Sequence, residues 1–421
     1  MRYGSLKKAM SHIAIIGAGI TGVTTAYALL ERGYKVTVFD RHRYAAMETS
    51  FANGGQLSAS NSEVWNNTST IIKGLRWMFR RDAPLLMNPR PSWHKYSWMG
   101  EFVGNICNYR QHTIETTRLA IEARRHLFAI AERENISFDL ERRGILHIFR
   151  DKPGFAAGLR VNALLQEGGL DRRPVTPDEI RVLEPALQAK LYGGFFTPSD
   201  ATGDIYKFTR GLADACVRRG ATFIHDANVE QIDRVGNEFQ VGWSDNSADT
   251  TFLSNTWSTT RVDKVVVCAG VASRHFASML GDRVNIYPVK GYSITVHLDS
   301  VPSQDSAPQV SLLDEAAKIV TSRLGADRFR IAGTAEFNGL NRDIRDDRIQ
   351  PLIRWVRLNF PGVDTSRAVP WAGLRPMMPS MMPVVRAGRQ AGVFYNTGHG
   401  HLGWTLSAAT AQIVAEAMDA G

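Results

Sequence analysis

Three glycines and one aspartate near the start of the chain have the types and spacing that hold a dinucleotide. Gly17, Gly19 and Gly22 occupy the fixed positions of a G-x-G-x-x-G turn, and Asp40 follows later in the sequence. In such a turn the first glycine makes the tight bend and the second lets a pyrophosphate approach the backbone. The third lets a helix pack closely on a strand. A carboxylate about 20 residues further on accepts hydrogen bonds from a ribose, so the pattern predicts an adenine dinucleotide site.

The elements around these residues are those that a dinucleotide turn needs. An apolar run at 13–16 predicts a buried parallel strand, and the Ala/Leu-rich stretch at 23–30 predicts a helix that Gly33 ends. A second, β-branched strand is predicted at 35–39. The helix would present its free N–H groups and its partial positive charge to the phosphates. The alternative is a βαβ unit whose glycines serve packing alone.

Length and composition are those of an ordinary globular chain. The 421 residues exceed one small core and suggest two domains, and contents of 44% hydrophobic and 22% charged residues are typical of soluble proteins. The net charge of +9 is modest, and no basic stripe with interleaved aromatic residues indicates nucleic-acid binding. No segment has the length and hydropathy of a signal peptide or a membrane span. These features predict a cytoplasmic protein.

The cysteines favour a reducing compartment. Cys107, Cys216 and Cys268 show no C-x-x-C and no paired spacing. The sequence therefore predicts neither a disulfide framework nor a metal site.

A glycine-rich loop at 48–58 follows the second strand, at the sheet edge where ligands of such folds bind. Thr49 and Ser50 could donate to a phosphate, and Asn53 and Gln56 could bond the edge of a ring. Taken alone, these residues would favour a plain surface loop.

The segment at 71–81 mixes apolar and cationic residues. Ile72 and Phe79 could share a helical face that Lys73, Arg76 and Arg80 border. This pattern is found in helices that lie on a membrane surface, but for so short a stretch it is more typical of a helix that packs on its own domain. Peripheral contact with the inner face of the cytoplasmic membrane is one hypothesis for it.

The remainder of the chain alternates helical and extended patterns. Prolines and tryptophans at 84–98 break helicity and indicate the start of a second domain. Helices are predicted at 112–134, after the Thr-Pro-Asp-Glu start signal at 176–179, at 207–219 and at 404–419. Extended segments are predicted at 144–150, 191–197, 221–229, 263–270, 284–297 and 329–335. The last two alternate apolar with polar residues, as an antiparallel sheet does.

Six short motifs occur in an order that points to a family. They are the glycine turn at 17–22, the ETSFANGGQ loop, VVVCAG, YPVKGYS, WAGLRP and NTGHGHLGW. From about residue 12 to its C-terminus the chain resembles the D-amino-acid dehydrogenase small-subunit branch of the FAD-dependent D-amino-acid oxidase family. Glycine oxidase and sarcosine oxidase share this architecture.

The resemblance implies an α/β fold with a Rossmann-like FAD-binding domain of the glutathione-reductase type. A second domain would carry a mainly antiparallel β-sheet and bind substrate. The FAD-binding domain would comprise residues 11–85, 198–275 and 366–421, and the substrate domain residues 86–197 and 276–365.

The resemblance also implies non-covalent FAD. Covalent attachment in related sarcosine oxidases uses a cysteine, and the matching C-terminal region of this chain has none. A glycine loop before the last helix would aim N–H groups at the N1–C2=O edge of the flavin. The residues implied at the cofactor are Gly17, Gly19, Ile20, Thr21, Gly22, Asp40, Arg41, Ser50, Asn53, Gly54, Gly55, Gln56, Val229, Gly270, Arg375, Gly398, Gly400, His401, Leu402, Gly403, Trp404 and Thr405.

Arg375 matches the arginine that holds the substrate carboxylate in this family. A guanidinium suits that task because its planar fork makes two parallel charge-assisted hydrogen bonds. Tyr292 is a second candidate ligand or a wall of the pocket, and a core tyrosine is the alternative. His399 and His401 are expected to make structural hydrogen bonds rather than to act as a general base.

The implied reaction is oxidation of a small amino acid, most simply a D-amino acid, by hydride transfer from Cα to flavin N5. Water would release a 2-oxo acid and ammonia from the imino acid, and a quinone or another protein would take the electrons. An oxygen-using oxidase of the glycine, sarcosine or D-proline type is the nearest alternative. A flavoprotein acting on tRNA and a non-enzymatic FAD-binding protein are alternatives of other classes.

Two positions differ from the pattern of the branch. The branch usually has R-P-x-x-P-D-G-x-P after the arginine, whereas residues 375–383 are RPMMPSMMP and lack the acid and the glycine. His401 stands where a small residue is common. Methionines make this wall more apolar and more adaptable. Both differences lie near the expected flavin and bear on the choice of substrate side chain.

Overall fold

The computed structural model describes residues 11–77, 84–246 and 257–420. The strands in chain order are β1 His12–Ile16, β2 Lys35–Phe39, β3 Gln56–Leu57, β4 Leu85–Met87, β5 Ile145–Phe149, β6 Arg173–Val175, β7 Gly193–Thr197, β8 Ala201–Thr202, β9 Thr222–Ile224, β10 Ala227–Val235, β11 Glu238–Asp245, β12 Trp257–Val262, β13 Lys264–Val267, β14 Tyr287–His297, β15 Ser311–Asp314, β16 Ile319–Leu324, β17 Arg328–Phe337, β18 Val369–Met377, β19 Val384–Ala387 and β20 Val393–Thr397. The α-helices are α1 Ile20–Glu31, α2 Thr68–Trp77, α3 Trp93–Gly104, α4 Tyr109–Arg133, α5 Lys152–Glu167, α6 Pro177–Leu183, α7 Ile205–Arg218, α8 Ser273–Met279, α9 Val301–Ser306, α10 Asp346–Asn359 and α11 Gly403–Ala420.

The first sheet is largely parallel and carries the glycine turn. Its strand order is β19-β20-β13-β1-β2-β9, and β1 pairs in parallel with both β2 and β13. Ile13 and Ile15 of β1 pack with the helices on one face, while Ala14 and Ile16 pack with the three-stranded sheet β10-β11-β12 on the other. A strand covered on both faces needs a continuous apolar run, and this explains why the sequence signal at 13–16 is strong.

The second sheet is mixed rather than purely antiparallel. Its order is β18-β14-β17-β16-β15-β5-β7-β6, with β4 beside β17. β14 pairs antiparallel with β17 and β18, as the alternating pattern predicts. Two pairings, β15 with β5 and β17 with β4, are parallel, and each joins strands that lie far apart in the sequence. The fold is therefore the predicted α/β arrangement, with a mixed second sheet.

Several element boundaries differ from the sequence predictions. Helix α3 begins at Trp93, inside the stretch expected to break helicity, because Ser92 is extended and ends the proline-rich part. The strand predicted at 263–270 stops at Val267, and a 3₁₀ turn follows at Gly270–Ala272. The helix after the Thr-Pro-Asp-Glu signal is confirmed, and Thr176 and Glu179 form a reciprocal capping box.

Strand β18 lies in the second sheet beside β14 although residues 366–421 were assigned to the FAD-binding domain. The chain thus passes from the second sheet to the first between β18 and β19. The division into two domains stays a prediction. Of the segment at 71–81, the part at 78–81 lies outside the described residues. Within the described ranges no helix is both long enough and apolar enough to cross a membrane.

Candidate functional site

A cavity of about 1550 Å³ runs from the glycine turn to the second sheet. Drug-sized ligands occupy pockets of roughly 300–1,000 Å³, so this cavity has room for a dinucleotide and a small substrate together. Its lining includes Gly17, Asp40, Ser50, Arg375 and Gly398, which come from five separate stretches of the chain. The structure therefore brings the predicted site residues to one place.

The glycine turn is built so closely that side chains do not fit. Gly17 has a φ of +105°, and a Cβ atom on Gly22 would lie 1.8 Å from the Gly17 carbonyl oxygen. At Gly19 a Cβ atom would be at an ordinary 3.6 Å from Ser50 Oγ. The turn itself therefore requires glycine at Gly17 and Gly22, whereas the packing would tolerate a side chain at Gly19. This difference favours a ligand at Gly19 over the packing-only alternative.

Ser50 links the cofactor loop to the start of helix α1. Its Oγ accepts a hydrogen bond from the backbone N–H of Ile20 at 3.0 Å, which leaves the hydroxyl proton free for another acceptor. The N–H groups of Thr21 and Gly22, which have no partner within the helix, lie beside it. This end of the cavity suits an anionic pyrophosphate.

Asp40 lies at the end of β2 with its carboxylate already oriented. Its oxygens accept hydrogen bonds from the N–H groups of Ala18 at 2.6 Å and His42 at 2.9 Å. Burial raises the pKa of Asp40, while these amide bonds oppose the rise. Arg41 forms an ion pair with Glu48, so its charge is already engaged, and Val229 is buried at the cavity wall.

The loop at 48–58 uses most of its polar side chains internally. Thr49 donates to the Leu374 carbonyl at 3.0 Å, and Asn53 Oδ1 accepts from the Gly55 amide at 2.8 Å. The Gln56 amide nitrogen donates to Ser311 Oγ at 2.8 Å and to the Leu312 carbonyl at 3.1 Å. The expectation that Thr49 donates to a phosphate is therefore not met. Gly54 and Gly55 line the cavity through their backbone.

The loop before helix α11 lies between both sheets. A Cβ atom on Gly398 would be 2.5 Å from Met378 Cγ, and one on Gly400 would be 2.8 Å from Met377 Sδ. Gly270, in the turn that follows β13 of the first sheet, lines the same part of the cavity. Close packing against the methionines thus explains why small residues occur here.

The residues that open helix α11 divide between core and cavity. The Trp404 ring packs against Phe138 and Phe208 at centroid distances of 6.1 and 5.1 Å, so it supports the core as well as lining the cavity. Thr405 Oγ1 donates to the Gln56 carbonyl at 3.4 Å. Leu402 and Gly403 lie on the cavity surface at the helix N-terminus.

The two histidines of this loop are neutral over the physiological range. His399 is buried and its Nε2 lies 3.0 Å from Thr410 Oγ1, and burial lowers its pKa to about 3. His401 stacks on Trp65 with centroids 4.8 Å apart. Burial, and then the charge of Arg375, lower the pKa of His401 to about 4. Neither ring is basic enough to accept a proton readily near pH 7.

Arg375 on β18 is a cation without an anionic partner among the described residues. Its strand pairs with β14, and its guanidinium lies across Gly291, where a Cβ atom would be 2.4 Å from Nη2. Its one hydrogen bond to the described residues goes from Nη1 to the Thr334 carbonyl at 3.4 Å. Burial lowers its pKa to about 10, so it stays charged at neutral pH. A half-buried guanidinium that lines a cavity, and to which no described residue brings a carboxylate, is suited to bind one from a ligand.

Tyr292 is buried on β14 with its hydroxyl already engaged. The hydroxyl donates to Glu336 Oε2 at 2.6 Å, and Lys290 Nζ lies 3.1 Å from the same oxygen. The ring lines the cavity. This geometry favours the pocket wall over the carboxylate ligand among the roles that the sequence left open.

Sequence reasoning missed several residues that line the cavity. Thr334, at a β-bulge opposite Gly291 and Tyr292, holds the Arg375 guanidinium through its carbonyl oxygen. Glu63, Arg172, Glu315 and Lys318 line another part of the cavity wall. No motif marks them. The sequence signal that could have indicated them is the pair Glu315 and Lys318 in the short turn after β15, since loops often carry functional side chains.

A parallel sheet with a glycine turn, joined by one cavity to a second sheet whose arginine has no anionic partner among the described residues, is the arrangement expected of a dinucleotide-dependent oxidoreductase. A family model described as FAD dependent oxidoreductase (DAO) matches residues 12–417. The chain belongs to this family. The residues present fit FAD, since the Gly17–Gly22 turn, the free Ser50 hydroxyl proton and Asp40 lie along one wall.

The relatives and solved structures agree with this assignment. D-amino acid dehydrogenase 3 of Mesorhizobium japonicum is 65% identical over 406 residues, covering 96% of each chain. D-amino acid dehydrogenase of Paramagnetospirillum magneticum is 39% identical, covering 96% of this chain and 94% of the relative. Glycine oxidase from Geobacillus kaustophilus superposes with a TM-score of 0.74 at 19% identity, covering 98% of this chain and 95% of that one. L-proline dehydrogenase from P. horikoshii superposes with a TM-score of 0.73 at 16% identity, covering 97% of this chain and 93% of that one. The two structures show the shared fold.

Proposed function

We propose that this chain is an FAD-dependent dehydrogenase that oxidatively deaminates D-amino acids. The observation that carries the proposal is Arg375, a half-buried guanidinium that faces the cavity beside the glycine loop without a carboxylate partner among the described residues. The dehydrogenases at 65% and 39% identity support the same reaction.

The protein residues have three tasks in this reaction. Helix α1 and Ser50 bind the pyrophosphate, and Asp40 binds the adenosine ribose. Arg375 binds the substrate carboxylate and so fixes the rotation of Cα. When bound, FAD supplies a two-electron acceptor for the Cα–H bond. Water then converts the imino acid to a 2-oxo acid and ammonia.

The reaction needs no general base from the protein. The substrate amine must be neutral when Cα is oxidised, and hydride transfer needs no residue to remove the Cα proton. His399 and His401 are consistent with this because both are neutral at working pH. Catalysis would then depend mainly on orientation, which Arg375 and the neighbouring strand β14 supply.

The test is a panel of D-amino acids, L-amino acids, glycine and sarcosine with FAD-loaded protein. Each substrate is assayed with a redox dye and with oxygen as alternative acceptors. We expect D-amino acids with dye to give the highest kcat/KM. Faster turnover of glycine or sarcosine with oxygen would instead support the oxidase alternative.

The electron acceptor is a quinone or another protein, and the segment at 71–81 is our candidate for contact with an acidic membrane. Its apolar and basic composition supports this idea. Co-sedimentation with acidic vesicles should occur at low salt and fall as salt increases, because exposed charges are screened. No binding at low salt would leave the segment without this role.

A further inference from the structure

Several charged residues outside the Arg375 site line the same cavity, and four of them act on one another electrostatically. We call Glu63, Arg172, Glu315 and Lys318 the polar cluster. Glu63 follows the 3₁₀ turn at Ala59–Asn61, Arg172 precedes β6, and the other two lie in the tight turn between β15 and β16. Two acids and two bases make the cluster neutral in total.

Part of the polar cluster is internally satisfied. Glu315 binds Lys318 Nζ at 2.7 Å and His147 Nδ1 at 2.9 Å. His147 Nε2 in turn lies 2.9 Å from Ser60 Oγ, which joins the turn to the loop that carries Glu63. These bonds fix the wall, and the Lys318 side chain keeps 49% of its surface accessible.

Glu63 and Arg172 are not matched in this way. Glu63 Oε1 accepts from the Tyr109 hydroxyl at 2.6 Å, while nothing in the described part of the chain donates to Oε2. Arg172 is 2% exposed, and its Nε and Nη1 have no hydrogen-bond partner among the described residues. Its guanidinium lies over the Phe195 ring at 4.6 Å. One acceptor and one buried donor group thus remain unmet in the same wall.

His401 connects this wall to the substrate anchor. Its ring stacks on Trp65, two residues after Glu63, and its Nε2 lies 3.4 Å from the Asn61 carbonyl oxygen. After burial, the charges of Arg375 and of Lys318 both lower the pKa of His401, and all three residues line the cavity. We expect the side chain of a substrate held at Arg375 to face this wall, because Trp65 and His401 join it to the anchor within one cavity.

The chemistry of the side chain follows from what Glu63 and Arg172 lack. An apolar side chain would leave both residues without these hydrogen bonds, and a desolvated polar group without a hydrogen bond costs binding free energy. A charged group would leave the neutral cluster with one excess charge in a poorly solvated place. A hydroxyl or a carboxamide donates to a carboxylate and accepts from a guanidinium without changing the net charge.

We propose that the polar cluster selects D-amino acids whose side chain ends in a hydroxyl or a carboxamide, with Glu63 as acceptor and Arg172 as donor. This inference rests on the proposed function, because it concerns the side chain of the same substrate.

The experiment compares substrates of nearly equal shape with FAD-loaded protein and a redox dye. The pairs are D-asparagine with D-leucine and D-threonine with D-valine. We expect kcat/KM to favour the polar member by about 10-fold or more, the size expected of a hydrogen bond to a charged group. Equal or better use of the apolar members would overturn the inference alone. No oxidation of any D-amino acid would overturn the proposed function instead.

Variants separate recognition from structure. Glu63→Leu and Arg172→Met should each lower the ratio of polar to apolar kcat/KM about 10-fold, mainly through KM, and Glu63→Gln should restore part of it. The matched control is Arg173→Met, since Arg173 pairs with Glu179 on the surface and does not line the cavity. FAD content and Tm are measured for each protein. An equal loss on both members of a pair would contradict the inference, because a purely structural role has that effect.

Discussion

The two ends of the cavity are built by different means. At the first sheet the surface offered to a ligand is mostly backbone, and the side chains there are bonded to the chain itself, as with Asn53 on Gly55. At the second sheet side chains such as Arg375 face the cavity with few internal partners. The cofactor end can therefore be formed by one local stretch of sequence. The substrate end needs strands that are far apart in the chain.

The largest expected effect comes from the backbone end. In Gly22→Ala the new Cβ would lie 1.8 Å from the Gly17 oxygen, so the turn cannot form unchanged. We expect a loss of more than about 4 kcal/mol in the free energy of unfolding, or no FAD-containing protein. Chemical denaturation and the flavin absorbance of the purified protein measure this.

Gly33→Ala is the matched control for this change. Gly33 has a φ of +82°, but apart from its chain neighbours no described residue comes within 4 Å of the place that the new methyl group would take. It should cost only the roughly 1–2 kcal/mol of a left-handed alanine and retain FAD. Equal stability of the two variants would show that the close approach at Gly22 is relieved by movement elsewhere.

At the substrate end the largest effect should come from Arg375. Arg375→Ala should lower kcat/KM by about 3–5 kcal/mol, and Arg375→Lys should raise KM and lower kcat together because the fork is lost. FAD content should not change. Since burial lowers the pKa of Arg375 to about 10, the guanidinium is charged below that pH, and KM should rise as the pH increases past it.

The control for Arg375 is an amine substrate without a carboxylate. Its slow oxidation should be nearly indifferent to Arg375→Ala. Loss of flavin, or an equal loss on both kinds of substrate, would mean that the arginine supports the fold and that the carboxylate binds elsewhere.

The same contrast explains what could be predicted from the sequence. The β1–α1–β2 unit was predicted nearly to the residue because its glycines, apolar runs and Asp40 act within one short stretch. Arg375 was proposed as the carboxylate ligand through its motif. Its surroundings, in which no described residue gives it an anionic partner, depend on β14 and β17, which only the folded chain brings together. Thr49 was assigned to a phosphate because nothing local shows that its hydroxyl reaches Leu374. The parallel pairings of the second sheet were missed for the same reason.

His401 allows a test that depends on pH. Its ordinary pKa of 6.5 is lowered to about 4 in the folded protein. Between these values the unfolded chain binds a proton that the folded chain does not, so stability falls as the pH decreases from 6.5 to 4. The expected loss is about 3 kcal/mol, from roughly 1.4 kcal/mol for each pH unit.

His401→Gln should remove this contribution, and the free energy of unfolding should then depend less steeply on pH over that range. Urea denaturation at several pH values measures the slope. His399, which burial also keeps neutral, remains in the variant and should account for part of the slope that is left. An unchanged slope would show that His401 is more readily protonated than its surroundings indicate.

The smallest effect concerns the bulge that positions Arg375. Thr334 is a β-branched residue at a φ of +54°, it is buried, and its carbonyl accepts from Arg375. A backbone conformation of this kind costs roughly 1–3 kcal/mol, which Thr334→Gly would relieve. Glycine's greater freedom in the unfolded chain costs about 0.5–1 kcal/mol, and the lost methyl group about 0.8 kcal/mol. These contributions nearly cancel, so the free energy of unfolding should change by less than about 1 kcal/mol.

Thr295→Gly on the neighbouring strand β14 is the comparison, because Thr295 is not at positive φ and glycine gives it no relief of strain. It should destabilise the protein by roughly 1–2 kcal/mol without affecting KM. Thr334→Gly should instead leave the free energy of unfolding nearly unchanged and raise KM. A looser carbonyl at position 334 holds the guanidinium less firmly, and KM for a D-amino acid should rise by about 3–10-fold, the scale of one hydrogen bond. If Thr334→Gly instead destabilises the chain as much as Thr295→Gly and leaves KM unchanged, the bulge serves the sheet alone. The orientation of Arg375 would then come from Gly291, which leaves room for the guanidinium on β14.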